Sequence, residues 1–222
     1  MTDSLGQGDA AVRLVRDERG LALVGDGMEL RGDFSRMLPR LRQGRLQQEL
    51  LVKAARIKGA EAPTAVDCTA GLGEDSLLLA AAGFAVTLFE RDQTIAALLA
   101  DALERAAADP RLAEAVGRMT LVAGNSIAGL AALPEPPDVV YLDPMFPART
   151  KSAAVKKKFQ LLHHLEQPCE EEEALVAAAL AAQPRKVVIK RPAKGALLAD
   201  VKPSYSVAGK AVRYDVLVPP RP

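Results

Sequence analysis

The sharpest chemical signal in the sequence is Asp143-Pro144-Met145-Phe146, directly after the apolar run Val139-Val140-Tyr141-Leu142. A carboxylate, a carbonyl and an aromatic ring within four residues suit one kind of target. The exocyclic amine of a nucleic-acid base is a poor nucleophile, because its lone pair is delocalised into the ring. If Asp143 and the Pro144 carbonyl accept its two hydrogens, the nitrogen is drawn toward tetrahedral geometry and the lone pair is released. Phe146 can stack on the base and hold it. Catalytic roles are therefore expected for Asp143, Pro144 and Phe146. The plain alternative is a strand that ends at an Asp-Pro turn.

A second signal lies upstream, in Val66-Asp67-Cys68-Thr69-Ala70-Gly71-Leu72-Gly73-Glu74-Asp75. A strand runs into a glycine loop, which runs into a helix, and open α/β sheets bind ligands at such carboxyl ends. A dinucleotide loop needs a third glycine where Ser76 stands, and Glu74 and Asp75 would face its pyrophosphate. S-adenosylmethionine has no phosphate, and its ammonium and sulfonium suit acidic neighbours. The Asp67-xxx-Gly71-x-Gly73 spacing resembles that of methyltransferases. Glu90, about twenty residues on, ends the next strand at the spacing that reaches the ribose hydroxyls of an adenosine. Asn125 and Ser126 follow the third strand, where such folds contact adenine. A structural glycine turn and a solvated strand end are the bland readings of these residues. Their coincidence in one chain favours a cofactor site at Asp67, Gly71, Gly73, Glu74, Asp75, Glu90, Asn125 and Ser126, and disfavours a nicotinamide oxidoreductase.

The elements around these residues alternate. Strands are predicted at Ala65–Cys68, Ala85–Phe89, Met119–Ala123, Asp138–Leu142 and Arg185–Lys190, with two more near 204–207 and 214–218. Helices are predicted over Asp75–Ala82, over Thr94–Ala108 with Thr94 as cap, and over Glu170–Ala182, whose glutamates suit the positive end of the helix dipole. This alternation predicts a doubly wound, mainly parallel seven-stranded sheet, with an antiparallel strand in the terminal pair. Residues 1–60 read as an extension. Val12–Val15 and Leu21–Val24 look like short strands, a basic helical stretch runs from about Arg40 to Lys58, and Pro63 marks the boundary to a main domain over 61–222.

Composition narrows the setting. The 222 residues are 49% hydrophobic and carry a net charge of only +1, so any affinity for a polyanion must be local. Three stretches are basic. Residues 31–58 and 185–213 each hold eight Lys or Arg, and Arg149, Lys151, Lys156, Lys157 and Lys158 follow the tetrapeptide without an acid among them. Such runs are often only solvated faces. Here the second and third border the tetrapeptide, so Arg149, Lys151, Lys156, Lys157, Lys190 and Arg191 are expected to hold RNA phosphates at the rim of the site. Cys68 and Cys169 form no disulfide or zinc pattern, and no metal is expected. The first thirty residues lack a secretory apolar run, so a cytoplasmic location off the membrane is expected.

These motifs together resemble one family. Asp67–Asp75, Leu88-Phe89-Glu90-Arg91, Val139–Pro147, Lys151–Lys157 and Lys186–Pro192 are similar to the RsmJ family of bacterial 16S rRNA guanine-N2 methyltransferases, through most of residues 64–218. In that family Met stands inside the tetrapeptide, as Met145 does here. The resemblance implies a Rossmann-like class I methyltransferase fold, S-adenosylmethionine as cofactor, and the N2 of a guanine in 16S rRNA as target. It adds Arg91 and Asp143 to the implied cofactor contacts. A monomer is expected. Methylation of another amine, such as a DNA adenine or a protein glutamine, would use the same tetrapeptide. A non-catalytic RNA-binding protein with a decayed fold is disfavoured by the intact loop and tetrapeptide.

Overall fold

The computed structural model describes residues 12–25, 27–144 and 171–220. The described residues open with a small antiparallel sheet of β1 (Arg13–Asp17), β2 (Gly20–Gly25) and β3 (Met28–Leu30). The expected basic helix is broken into pieces: α1 (Leu38–Leu41), a 3-10 turn at Leu46–Gln48, and α2 (Leu50–Ala55). Gly44 at φ +83° and the extended backbone of Arg42 and Glu49 interrupt the helical run.

The main sheet comprises β4 (Thr64–Asp67), β5 (Ala85–Glu90), β6 (Met119–Ala123), β7 (Val139–Leu142), β8 (Lys186–Pro192), β9 (Tyr205–Ala208) and β10 (Val212–Leu217). Its seven strands run in the order β6-β5-β4-β7-β8-β10-β9. The pairs from β6 through to β8 are parallel, and β10 runs antiparallel to both β8 and β9. The chain's last strand is thus the antiparallel insertion, as the sequence led one to expect.

The helices are α3 (Glu74–Ala81), α4 (Gln93–Ala107), α5 (Ala113–Val116), α6 (Ser126–Ala131) and α7 (Glu172–Ala181). The two short ones, α5 and α6, carry too few periodic apolar residues to stand out in the sequence. The last helix begins at Glu172, after Glu171, and Glu170, where it was expected to start, lies outside the described residues. The cap of α4 is Asp92 rather than Thr94. Asp92 is extended, and its Oδ1 accepts from the Thr94 and Ile95 amides at 2.8 and 2.9 Å. Among the described residues, no helix is long and apolar enough to cross a membrane.

Alternation along each strand deals side chains to two faces. Ala65, Val86, Leu88, Val139, Tyr141, Val188, Tyr214 and Val216 face one core, shared with α2 through α5. Val66, Phe89, Val140, Leu142, Val187, Ile189 and Leu217 face the other, shared with α6 and α7. The N-terminal segment joins the first core through Phe34, Met37, Leu46 and Leu51. Leu23 and Leu30 of its sheet pack on Ile95 and Leu98 of α4, with Leu72 of the glycine loop against them.

Candidate active site

The site lies where β4 and β7 end side by side. Asp67 is paired with Tyr141 in the sheet, so the glycine loop and the Asp143-Pro144 step leave from neighbouring points. The Thr69 hydroxyl joins them, accepting from the Asp143 amide at 2.7 Å. Asp67 is 1% exposed and is built into the loop. It accepts from the Ser76 hydroxyl at 2.6 Å and from the Thr69 amide at 3.0 Å. Burial pushes its carboxyl up to about 7, against the lowering by those donors.

Two glycines shape the loop. Gly73 has φ +76°, and a Cβ there would sit 2.7 Å from Leu99 Cδ1 and 3.2 Å from Phe34 Cζ. Both the backbone angle and the close approach of α4 require glycine. Gly71 has φ +54°, and a Cβ there would meet nothing within 4 Å, so this side of the loop is open. Beside the opening, Glu90 Oε2 accepts from the Gly71 amide and Oε1 from the Asp92 amide, each at 2.9 Å. Burial raises the Glu90 carboxyl, and these amides oppose the shift. An open glycine backbone next to a fixed carboxylate is what the ribose hydroxyls of an adenosine need, so these residues fit S-adenosylmethionine. Arg91 follows and is exposed. Asn125 serves as the cap of α6, accepting from the Ile127 amide at 2.8 Å. Ser126 opens α6, and burial raises the nearby Cys68 thiol. Glu74 and Asp75 open α3, where the helix dipole favours acids.

The structure adds a charge network that the sequence did not suggest. Strand register pairs Tyr141 with Val188 and Lys190 with Tyr214, and alternation then brings Asp143 and Lys190 to the same face. Lys190 Nζ donates to Asp143 Oδ2 at 2.8 Å and to Asp75 Oδ2 at 2.7 Å. The Tyr141 hydroxyl donates to the same Asp75 oxygen at 2.6 Å. Burial lowers the Lys190 ammonium, but two carboxylates at contact overcome it and hold the group protonated throughout the neutral range. Burial raises the Asp143 carboxyl, and the Lys190 charge opposes that shift. Asp75, expected to meet the cofactor's cation, therefore already has one in Lys190.

The same geometry corrects the placement of two rim residues. Lys190 turns inward to the carboxylates. Arg191, next along β8, points to the opposite face, is 4% exposed and donates from Nε to the Ala196 carbonyl at 2.8 Å. Phe146, Arg149, Lys151, Lys156 and Lys157 lie outside the described residues. The sequence reading missed Tyr141 and Thr69 and the inward turn of Lys190. For Tyr141 and Lys190 the signal was strand parity, two residues from Asp143 and Val188, readable only once the register was known. Among the described residues, no cluster of His, Cys, Asp and Glu has metal-binding geometry.

Comparisons with known proteins agree with this arrangement. A family model described as "Putative SAM-dependent methyltransferase" matches residues 7–219. Ribosomal RNA small subunit methyltransferase J of Thioalkalivibrio sulfidiphilus is 46% identical over 213 residues, covering 92% of this chain and 84% of its own. The protein of the same name from Neisseria meningitidis is 40% identical over 206 residues, covering 91% and 82%. The crystal structure of a SAM-dependent methyltransferase from Neisseria gonorrhoeae matches with a TM-score of 0.78 at 32% identity, over 96% of this chain and 85% of that one. That fold is the Rossmann-like class I arrangement that the strand order describes. The chain belongs to the RsmJ family of SAM-dependent methyltransferases.

Proposed function

We propose that the chain methylates the exocyclic N2 of a guanine in 16S ribosomal RNA, in the cytoplasm, with Asp143 and Pro144 gripping the amine. The observation that carries this reading is the position of Asp143. It leaves the carboxyl end of a central strand, tied to the glycine loop by Thr69 at 2.7 Å, with its side chain 34% exposed. The relatives' name supplies the polymer, small-subunit ribosomal RNA.

S-adenosylmethionine supplies an activated methyl group on its sulfonium. The loop and Glu90 hold the adenosine end, with the Asp143 backbone at the border between cofactor and base. Asp143 and the Pro144 carbonyl accept the amine hydrogens, and Phe146 stacks on the flipped base. The rate gain comes mainly from holding amine and methyl in line. The basic residues Arg149, Lys151, Lys156 and Lys157 hold the backbone of the RNA.

Incubation of the chain with labelled S-adenosylmethionine and 16S rRNA, then digestion to nucleosides and mass spectrometry, tests the reading. The label is expected in N2-methylguanosine. Label in N6-methyladenosine, or only in protein glutamine, would replace this reading with another amine.

A further inference from the structure

Lys190 covers one side of the Asp143 carboxylate and is itself held from behind. Its Nζ donates to Asp143 Oδ2 at 2.8 Å and to Asp75 Oδ2 at 2.7 Å. Asp75 is fixed in turn by the Tyr141 hydroxyl at 2.6 Å. An ammonium has three N–H donors, and two serve these carboxylates, which leaves one for a ligand. Among the described residues, no donor reaches Asp143 Oδ1. The Lys190 and Asp143 side chains keep 27% and 34% of their surface exposed, so a base can reach both.

We propose that Lys190 reads O6 of the target guanine, so that Asp143 and Lys190 together select guanine among amine-bearing bases. This rests on the assignment of Asp143 to the target amine. The pairing edge of guanine presents, in order, a 2-amine hydrogen, the N1 hydrogen and O6: donor, donor, acceptor. Asp143 Oδ1, Asp143 Oδ2 and Lys190 Nζ present acceptor, acceptor, donor in the same order. The second amine hydrogen is left for the Pro144 carbonyl. Adenine and cytosine each place an unprotonated ring nitrogen beside their amine. In this site that nitrogen would face a carboxylate oxygen with no hydrogen between them, which a polar site rejects strongly. A lysine serving only to neutralise Asp143 would need no second carboxylate. The hold from Asp75 fixes the ammonium beside Oδ2, where O6 arrives.

The test uses 16S rRNA assembled by ligation, with either guanine or 2,6-diaminopurine at the mapped target position. The analogue keeps the 2-amine, lacks the N1 hydrogen and carries an amine in place of O6. The wild-type chain is expected to favour guanine in kcat/KM by roughly 100-fold. Lys190→Met and Lys190→Gln should lose about tenfold or more on guanine and little on the analogue, so the preference contracts by about that factor. Lys190→Arg, which keeps a charged donor, should retain most of it. Thermal melting and S-adenosylhomocysteine binding establish which variants fold, and Lys190→Gln, the milder change, carries the comparison if Lys190→Met does not. Equal turnover of the two RNAs by the wild type overturns the inference. So does an equal fall on both RNAs in the variants, because Lys190 then only holds Asp143. Failure of the underlying assignment is separate, since Asp143→Ala would then still methylate guanine RNA at the wild-type rate.

Discussion

At Asp143 two opposing influences set the charge: burial raises the carboxyl, and the Lys190 ammonium at 2.8 Å draws it back. In the proposed role, protonation turns one Asp143 oxygen into a donor and weakens the other as an acceptor, so turnover should fall as pH drops through its raised value. Lys190→Met removes the opposing charge, and the acid limb of kcat against pH should move to higher pH. A limb that stays in place would dissociate Lys190 from Asp143. Asp67 gives a linked effect on stability. Its folded value of about 7 lies above the ordinary 3.8, so its favourable contribution is complete below the ordinary value and is lost as pH rises toward 7. The loss amounts to up to about 4 kcal/mol. Urea unfolding of wild type and Asp67→Asn across that range should show the wild type losing ground to the variant as pH rises, and parallel curves would contradict it.

At the scale of elements, the glycine loop is the joint between sheet and cofactor, and Gly73 is its tightest point. Gly73→Ala combines φ +76° with a contact at 2.7 Å to Leu99, on α4. It should cost about 1–3 kcal/mol in stability and weaken S-adenosylhomocysteine binding measured by calorimetry; unchanged binding and melting would refute the packing described. Much of this level was legible in the sequence. Buried parallel strands such as Val139–Leu142 are unbroken apolar runs, and the acid–glycine spacing after Val66 marks a strand-to-helix turn. Where two residue types compete, the sequence misled. Asp92 and Thr94 are both good caps, and only the extended backbone at Asp92 decides between them. In sequence the basic stretch from Arg40 reads as helical, because its charge hides Gly44 and the extended residues around it. The Lys190–Asp143 pair was illegible for another reason. It depends on β7 and β8 lying adjacent in register, over a separation of 47 residues, and local pattern carries no such information. Parity along β8 also sends Lys190 and Arg191 to opposite faces, which a reading of local charge density ignores.

Across the whole molecule, the segment before Pro63 shares the core of the main sheet rather than forming a core of its own. Phe34 reaches the glycine loop and Leu51 lies under α3 and its neighbours, both at 2% exposure or less. The cofactor loop is therefore braced from the N-terminal side as well as by Glu90. The net charge of +1 leaves RNA binding to local cations, and Lys190 turns to the Asp143 and Asp75 carboxylates. The proposal that remains to be tested is that the amine of a guanine in 16S rRNA is methylated through Asp143. The most direct measurement is nucleoside mapping of 16S rRNA from cells lacking their own enzyme of this family and supplied with either the wild-type chain or Asp143→Ala. N2-methylguanosine is expected at one position with the wild type, with a fall of about 100-fold or more in its rate of appearance with Asp143→Ala, whose S-adenosylhomocysteine binding persists. Unchanged modification in the Asp143→Ala cells would contradict it.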